Sequence, residues 1–115
     1  MKVLSIVLQE EGKDCILEVL FILMFIFSFR TLKTQRIIDN YMKVPREEFL
    51  LENMIDEAYS DHPLRFSTMG FNTSAPHMYA MCLEALQPKP GESFLDIGCG
   101  CGHLTLVYYF LLCFM

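Results

Sequence analysis

Between Asp96 and His103 the chain reads Asp-Ile-Gly-Cys-Gly-Cys-Gly-His, with an acid two residues before the first of three alternating glycines, Gly98, Gly100 and Gly102. Glycine adopts positive φ without a steric penalty and lets a ligand approach the backbone closely. A helix starting after such a loop presents unpaired N–H groups and the positive end of its dipole to an anionic or polar group. The spacing is G-x-G-x-G, not the G-x-G-x-x-G of dinucleotide binders. The bland alternative is a tight strand-to-helix turn without a ligand. Cys99-x-Cys101-x-His103 overlaps the loop, but a structural zinc site needs four ligands and usually a Cys-x2–4-Cys spacing, so no metal is expected. His77 and His103 are single histidines, read as surface or hydrogen-bonded residues.

The loop needs elements to hold it. Ser93–Ile97 (Ser-Phe-Leu-Asp-Ile) reads as a short strand leading in, and His103 onward as the helix leading out. The two prolines and the glycine of Gln87–Glu92 predict a turn before the strand. Ser74-Ala75-Pro76 predicts a helix start, with the Ser74 hydroxyl as N-cap and Pro76 in the first turn. That helix is expected over Pro76–Leu86 with Met78, Cys82, Ala85 and Leu86 on one face, and Tyr79 and Met81 as packing residues. Upstream, Thr34–Val44 places Ile37, Ile38, Tyr41 and Met42 at helical spacing, with Thr34 as N-cap. Pro45 ends that helix and opens a short turn through Glu48, and Asn53–Asn72 reads as a long irregular stretch.

The whole chain has 115 residues, enough for one small domain. A net charge of −5, with lysines and arginines scattered singly, excludes a generic nucleic-acid-binding surface. Five cysteines, an odd number in no framework, argue for a reducing, cytoplasmic setting, with several acting as small buried hydrophobes. Two apolar runs flank an ordinary middle: Cys15–Phe29 and Leu104–Met115. The uncharged run Val19–Phe29 spans about 17 Å as a helix, against a hydrocarbon core of roughly 30 Å. Glu10, Glu11 and Asp14 stand where a signal peptide would be basic. Residues 1–29 are therefore read as an apolar extension of uncertain status, with a membrane-associated polypeptide or a translated non-coding segment as alternatives.

Asp96-x-Gly98-x-Gly100-x-Gly102 after a strand and before a helix resembles the first motif of class I S-adenosylmethionine-dependent methyltransferases. Further stretches resemble protein-L-isoaspartate O-methyltransferase: Leu32–Ile38, Met42 through Arg46-Glu47-Glu48-Phe49, Tyr59-x-Asp61-x-Pro63-Leu64, and Ser74-Ala75-Pro76-His77-Met78. Asp96–Thr105 continues the match. The resemblance implies an α/β, Rossmann-like fold, of which residues 30–115 would supply the N-terminal helices, the first strand, the Gly-rich loop and the start of the next helix. It also implies methyl transfer from S-adenosylmethionine to the α-carboxylate of L-isoaspartyl (D-aspartyl) residues in damaged proteins or peptides, by a monomeric cytoplasmic enzyme. On that basis Ser74 is the active-site serine beside the acceptor carboxylate. Asp96, Gly98, Cys99, Gly100 and Gly102 contact the cofactor.

There are departures from the family pattern. Asn72 and Thr73 stand where a Thr-Ile pair often precedes the serine. Tyr79 stands where catalytic members tend to carry a second histidine, and looks more like the family's relatives associated with ubiquitin-ligase adaptor roles. A non-catalytic adaptor module is therefore the alternative. The ribose-holding acid of this architecture lies about 20 residues beyond the glycine loop, past Met115. The chain on its own is accordingly expected to be an incomplete domain with little or no turnover.

Overall fold

The computed structural model describes residues 31–113, so the apolar stretch at 15–29 and the boundary at 29/30 lie outside the described residues. Three helices enclose the main core: α1 Gln35–Tyr41, α2 Pro76–Leu86 and α3 His103–Cys113. Ile37 and Tyr41 of α1, Ala80 and Leu83 of α2, and Val107, Tyr108 and Leu111 of α3 meet there, joined by Leu32 and Val44. Between α1 and α2 run two 3-10 turns, Arg46–Phe49 and Glu52–Glu57, then an antiparallel hairpin. Its strands β1 (Leu64–Phe66) and β2 (Phe71–Thr73) pair Leu64 with Thr73 and Phe66 with Phe71. Met54, Leu64 and Phe66 form a second, smaller cluster beneath it.

The hairpin corrects the expectation of an irregular stretch over Asn53–Asn72. Leu64 and Phe66 alternate inward with Arg65 outward, and Gly70 takes φ +75 at the turn. The alternation was present in the sequence, but three-residue strands are too short for a period-2 pattern to stand out.

Helix α2 has the expected bounds, yet its buried face is Pro76, Ala80 and Leu83. Met78, Met81 and Leu86 are exposed, as are Cys82 and Ala85, so the expected face and the packing role of Met81 are both corrected. This helix is apolar nearly all round, so spacing could not select a side; small Ala80 and branched Leu83 fit between α1 and α3. Cys82, Cys99 and Cys113 are exposed and Cys101 half-buried, which corrects the reading of buried cysteines.

Neither expected N-cap side chain caps its helix. Ala75, not Ser74, is the N-cap residue of α2, and the amide of His77 instead donates to Asp61 Oδ1 at 3.1 Å. Thr34 is the N-cap residue of α1 without a side-chain cap bond. The Glu84 carboxylate reaches across from α2 and accepts from the Lys33 and Thr34 amides at 2.7 Å each and from the Thr34 hydroxyl at 2.9 Å. At the other end of the core, Arg36 donates to the carbonyls of Leu111 and Pro88, satisfying the C-terminus of α3.

Ser93–Ile97 is not a strand. Among the described residues no strand lies beside it, and an unpaired segment has no ladder to define it. Phe94 is anchored by stacking on Tyr108 at 4.2 Å between centroids, while Leu95 and Ile97 are 80% and 86% exposed. The descending chain is otherwise held by the Gly91 amide, which donates to the Leu112 carbonyl at 3.0 Å.

Glu84 testifies to how α1 and α2 are joined. Partial burial opposes its charge, but the hydrogen bonds from Thr34 and Lys33 outweigh it and hold its carboxyl below the usual range. Stability from this group is full above the ordinary glutamate pKa and is lost as pH falls through the depressed one. Glu84→Gln should cost about 1 kcal/mol at pH 7, the scale of a lost cap on a partly exposed group, and should shrink that loss on acidification. Urea unfolding of both chains at pH 7 and pH 3 checks this.

Candidate functional site

The glycine loop takes the conformation that its residue types allow. Gly98, Gly100 and Gly102 have φ of +81, +57 and +85, values that cost an L-residue with a Cβ about 1–2 kcal/mol. A Cβ on Gly98 or Gly102 would meet nothing within 4 Å, so the chain leaves open space at both positions. At Gly100 the loop lies against β2, where a Cβ would stand 3.6 Å from the Asn72 carbonyl oxygen and 3.7 Å from the Phe71 ring. The Gly102 amide donates to the Cys99 carbonyl at 3.0 Å and the Leu106 amide to the Gly102 carbonyl at 3.1 Å, closing the turn into α3.

Asp96 is tied to the same turn. Its Oδ2 accepts from the Thr105 hydroxyl at 2.5 Å, linking the approach segment to the first turn of α3. Thr105 was in the sequence match but carried no separate signal for this bond.

Ser74 is exposed, and its backbone is held from both sides: its carbonyl accepts from Arg46 Nη2 at 2.9 Å and its amide donates to the Tyr79 hydroxyl at 3.3 Å. The preceding Thr73 hydroxyl also bonds the Tyr79 hydroxyl at 2.8 Å and lies 3.6 Å from Cys101 Sγ. The glycine loop and the residues leading into Ser74 are thus brought together across β2. Cys99 is exposed, with its Sγ 3.9 Å from the neighbouring Gly100 carbonyl oxygen.

His103 anchors the arrangement. It is fully buried, with Nε2 2.9 Å from the Val44 carbonyl and its ring against those of Tyr41, Phe49 and Tyr79. A carbonyl only accepts, so Nε2 carries the proton and Nδ1 is bare. Burial pushes its pKa down to about 4; the Val44 bond opposes this and the nearby Arg46 charge adds to it. His77 is bound to Asp61, whose two oxygens lie 2.8 and 3.0 Å from Nδ1. Among the described residues no cluster of three or more metal-ligating side chains is present, and no helix is long and apolar enough to cross a membrane.

A sequence model of the protein-L-isoaspartate(D-aspartate) O-methyltransferase family matches residues 23–113. The chain belongs to that family. Protein-L-isoaspartate O-methyltransferase of Methanopyrus kandleri is 42% identical over 80 residues, covering 70% of this chain and 35% of the relative. The enzyme of the same name from Methanothermobacter thermautotrophicus is 48% identical over 65 residues, 56% of this chain and 30% of the relative. That from Methylorubrum extorquens is 36% identical over 78 residues, 68% and 34% respectively. The chain spans about a third of the length of these relatives. The mixed helical architecture with its small sheet is consistent with part of a methyltransferase domain.

The buried histidine gives a direct test. The carbon-bound ring protons of His103 should titrate near pH 4, well below the ordinary 6.5, in an NMR pH series. The folded form refuses a proton that the unfolded chain accepts, so this group destabilises the fold progressively as pH falls from about 6.5 towards 4, by about 3 kcal/mol in full.

Proposed function

We propose that this chain forms the methyl-donor and acceptor-facing part of a protein-L-isoaspartate O-methyltransferase, which transfers a methyl group from S-adenosylmethionine to the α-carboxylate of L-isoaspartyl or D-aspartyl residues in damaged proteins. The observation that carries the reading is the glycine loop: three positive φ values, open space at Gly98 and Gly102, and a floor made by β2 next to Ser74.

Those features fit the donor. A side-chain-free ridge admits close approach of a ligand to the backbone, and the first turn of α3 adds N–H groups and dipole directed at polar atoms. When bound, S-adenosylmethionine supplies a methyl group activated on a sulfonium. Asp96, Gly98, Cys99, Gly100 and Gly102 would hold it, with Asp96 kept in place by Thr105. In this reading Ser93–Ile97 joins a parallel Rossmann-like sheet as a central strand, which would cover Leu95 and Ile97.

A carboxylate is ionised and nucleophilic at neutral pH, so the reaction needs no general base. This agrees with the state of the histidines, since His103 is buried and neutral and His77 is engaged by Asp61. The contribution left to the chain is alignment and exclusion of water. Ser74, fixed through both backbone groups while its side chain stays exposed, is suited to hydrogen-bond the acceptor carboxylate. In this reading the enzyme is a monomer that works in the cytoplasm on isoaspartyl peptides or proteins.

Titration of the isotope-labelled chain with S-adenosylhomocysteine tests the donor assignment without requiring turnover. Amide shifts should saturate and concentrate in residues 96–106. Gly98→Ala, which places a Cβ at φ +81 in the open space, should weaken binding at least about tenfold. Absence of saturable shifts in the loop would remove the reading.

A further inference from the structure

A cleft of about 50 Å³ lies beside α1, and no role has been assigned to it. Tyr41, Val44, Arg46, Tyr59, Pro76 and His103 line it. Three of these are buried polar residues whose side-chain atoms lack partners among the described residues: Tyr41 Oη, Arg46 Nε and Nη1, and His103 Nδ1. Arg46 is only 3% exposed and takes part in no ion pair there. Among the described residues its guanidinium hydrogen-bonds through Nη2 to the Ser74 carbonyl, and its carbon lies 5.6 Å from the centre of the Tyr79 ring.

A buried guanidinium whose contacts among the described residues are a carbonyl and a ring is expensive, because neither balances the charge withdrawn from water. Two acids of the surrounding segments are committed elsewhere. Asp61 receives the His77 amide and faces its ring, and Glu47 accepts from the Tyr59 hydroxyl. Burial, with smaller contributions from Tyr79 and Asp61, pushes the Tyr41 phenol upward despite Arg46, so Tyr41 stays a neutral O–H donor.

We propose that this cleft binds a small monovalent anion, of formate size, between the free N–H groups of Arg46 and the Tyr41 hydroxyl. The volume suits it: one water needs roughly 10–15 Å³ by this measure, so an ion of three heavy atoms fits and a bulky one does not. The apolar walls of Val44 and Pro76 exclude competing solvent and strengthen the charge-assisted bonds. His103 Nδ1 carries a bare lone pair, so the anion sits at the Arg46 end of the cleft. Because Arg46 also holds the Ser74 carbonyl, occupancy orders the segment on which Ser74 is carried.

The test is a formate titration of the intact chain at constant ionic strength, read by the Arg46 Nε–H resonance. Saturable shifts are expected at Arg46 and at the Tyr41 and His103 rings. Tyr41→Phe should raise the dissociation constant about tenfold or more, the scale of one hydrogen bond to an ion, and Arg46→Gln should abolish binding. Pivalate, too bulky for the cleft, should produce no saturable shift. An unsaturable response, an unchanged curve in Arg46→Gln, or equal binding of pivalate would overturn the proposal. Should Arg46→Gln fail to fold, an unchanged constant in Tyr41→Phe overturns it alone. The donor titration of the glycine loop is independent of each of these outcomes.

Discussion

One buried hydrogen bond, from His103 Nε2 to the Val44 carbonyl, fixes where the glycine loop can be. His103 is the first residue of α3 and follows Gly102 directly. A side chain held at that point by a backbone carbonyl and by rings from three other segments sets the position of the helix N-terminus. The loop ends on that N-terminus. The flexibility inherent in three alternating glycines is therefore limited at one end by a rigid core contact, and at the other by Asp96 bonded to Thr105. The cost is a histidine that cannot be charged without breaking its surroundings, which explains its low pKa.

The core that supports this anchor depends on polar clamps as much as on apolar contact. Helix α1 has seven residues, too short to stand alone. It is held at its start by Glu84 of α2 and along its side by Arg36, which bonds the end of α3. Each long side chain meets helix-terminal or near-terminal backbone groups that have no partner within their own helix. The same economy appears at the start of α2, where Asp61 supplies the cap that the local sequence does not.

The sequence was informative where chemistry is local. The bounds of α2, the start of α3 and the positive φ values of the glycine loop follow from Pro76, from the alternating glycines and from the helix-starting context, and all are present. Relations that depend on distant partners were not legible. Ser93–Ile97 has the residues of a strand but no neighbouring strand among the described residues, so Leu95 and Ile97 remain in water. Ser74 looked like an N-cap because its type fits, yet Asp61, 16 residues before His77, takes the His77 amide. The buried side of α2 was ambiguous because an almost uniformly apolar helix carries no directional signal. Arg46 stood out only as part of a family pattern; that it is buried, with Nε and Nη1 lacking partners among the described residues, emerges from packing alone.

Family membership explains why these parts occur together, and the anchor explains how they are kept in register. Hydrogen exchange of individual amides, compared between the native chain and His103→Phe, addresses that point most directly. The phenyl ring preserves the aromatic packing and removes the bond to Val44. Exchange at Gly102 and Leu106, whose amides close the turn into α3, should accelerate about tenfold or more, the change expected for loss of ~1.4 kcal/mol of local protection, while the Glu84-bound Thr34 amide stays nearly unchanged. Equal rates in the two chains at Gly102 and Leu106, or the same acceleration everywhere, would show that the loop is not held by this histidine.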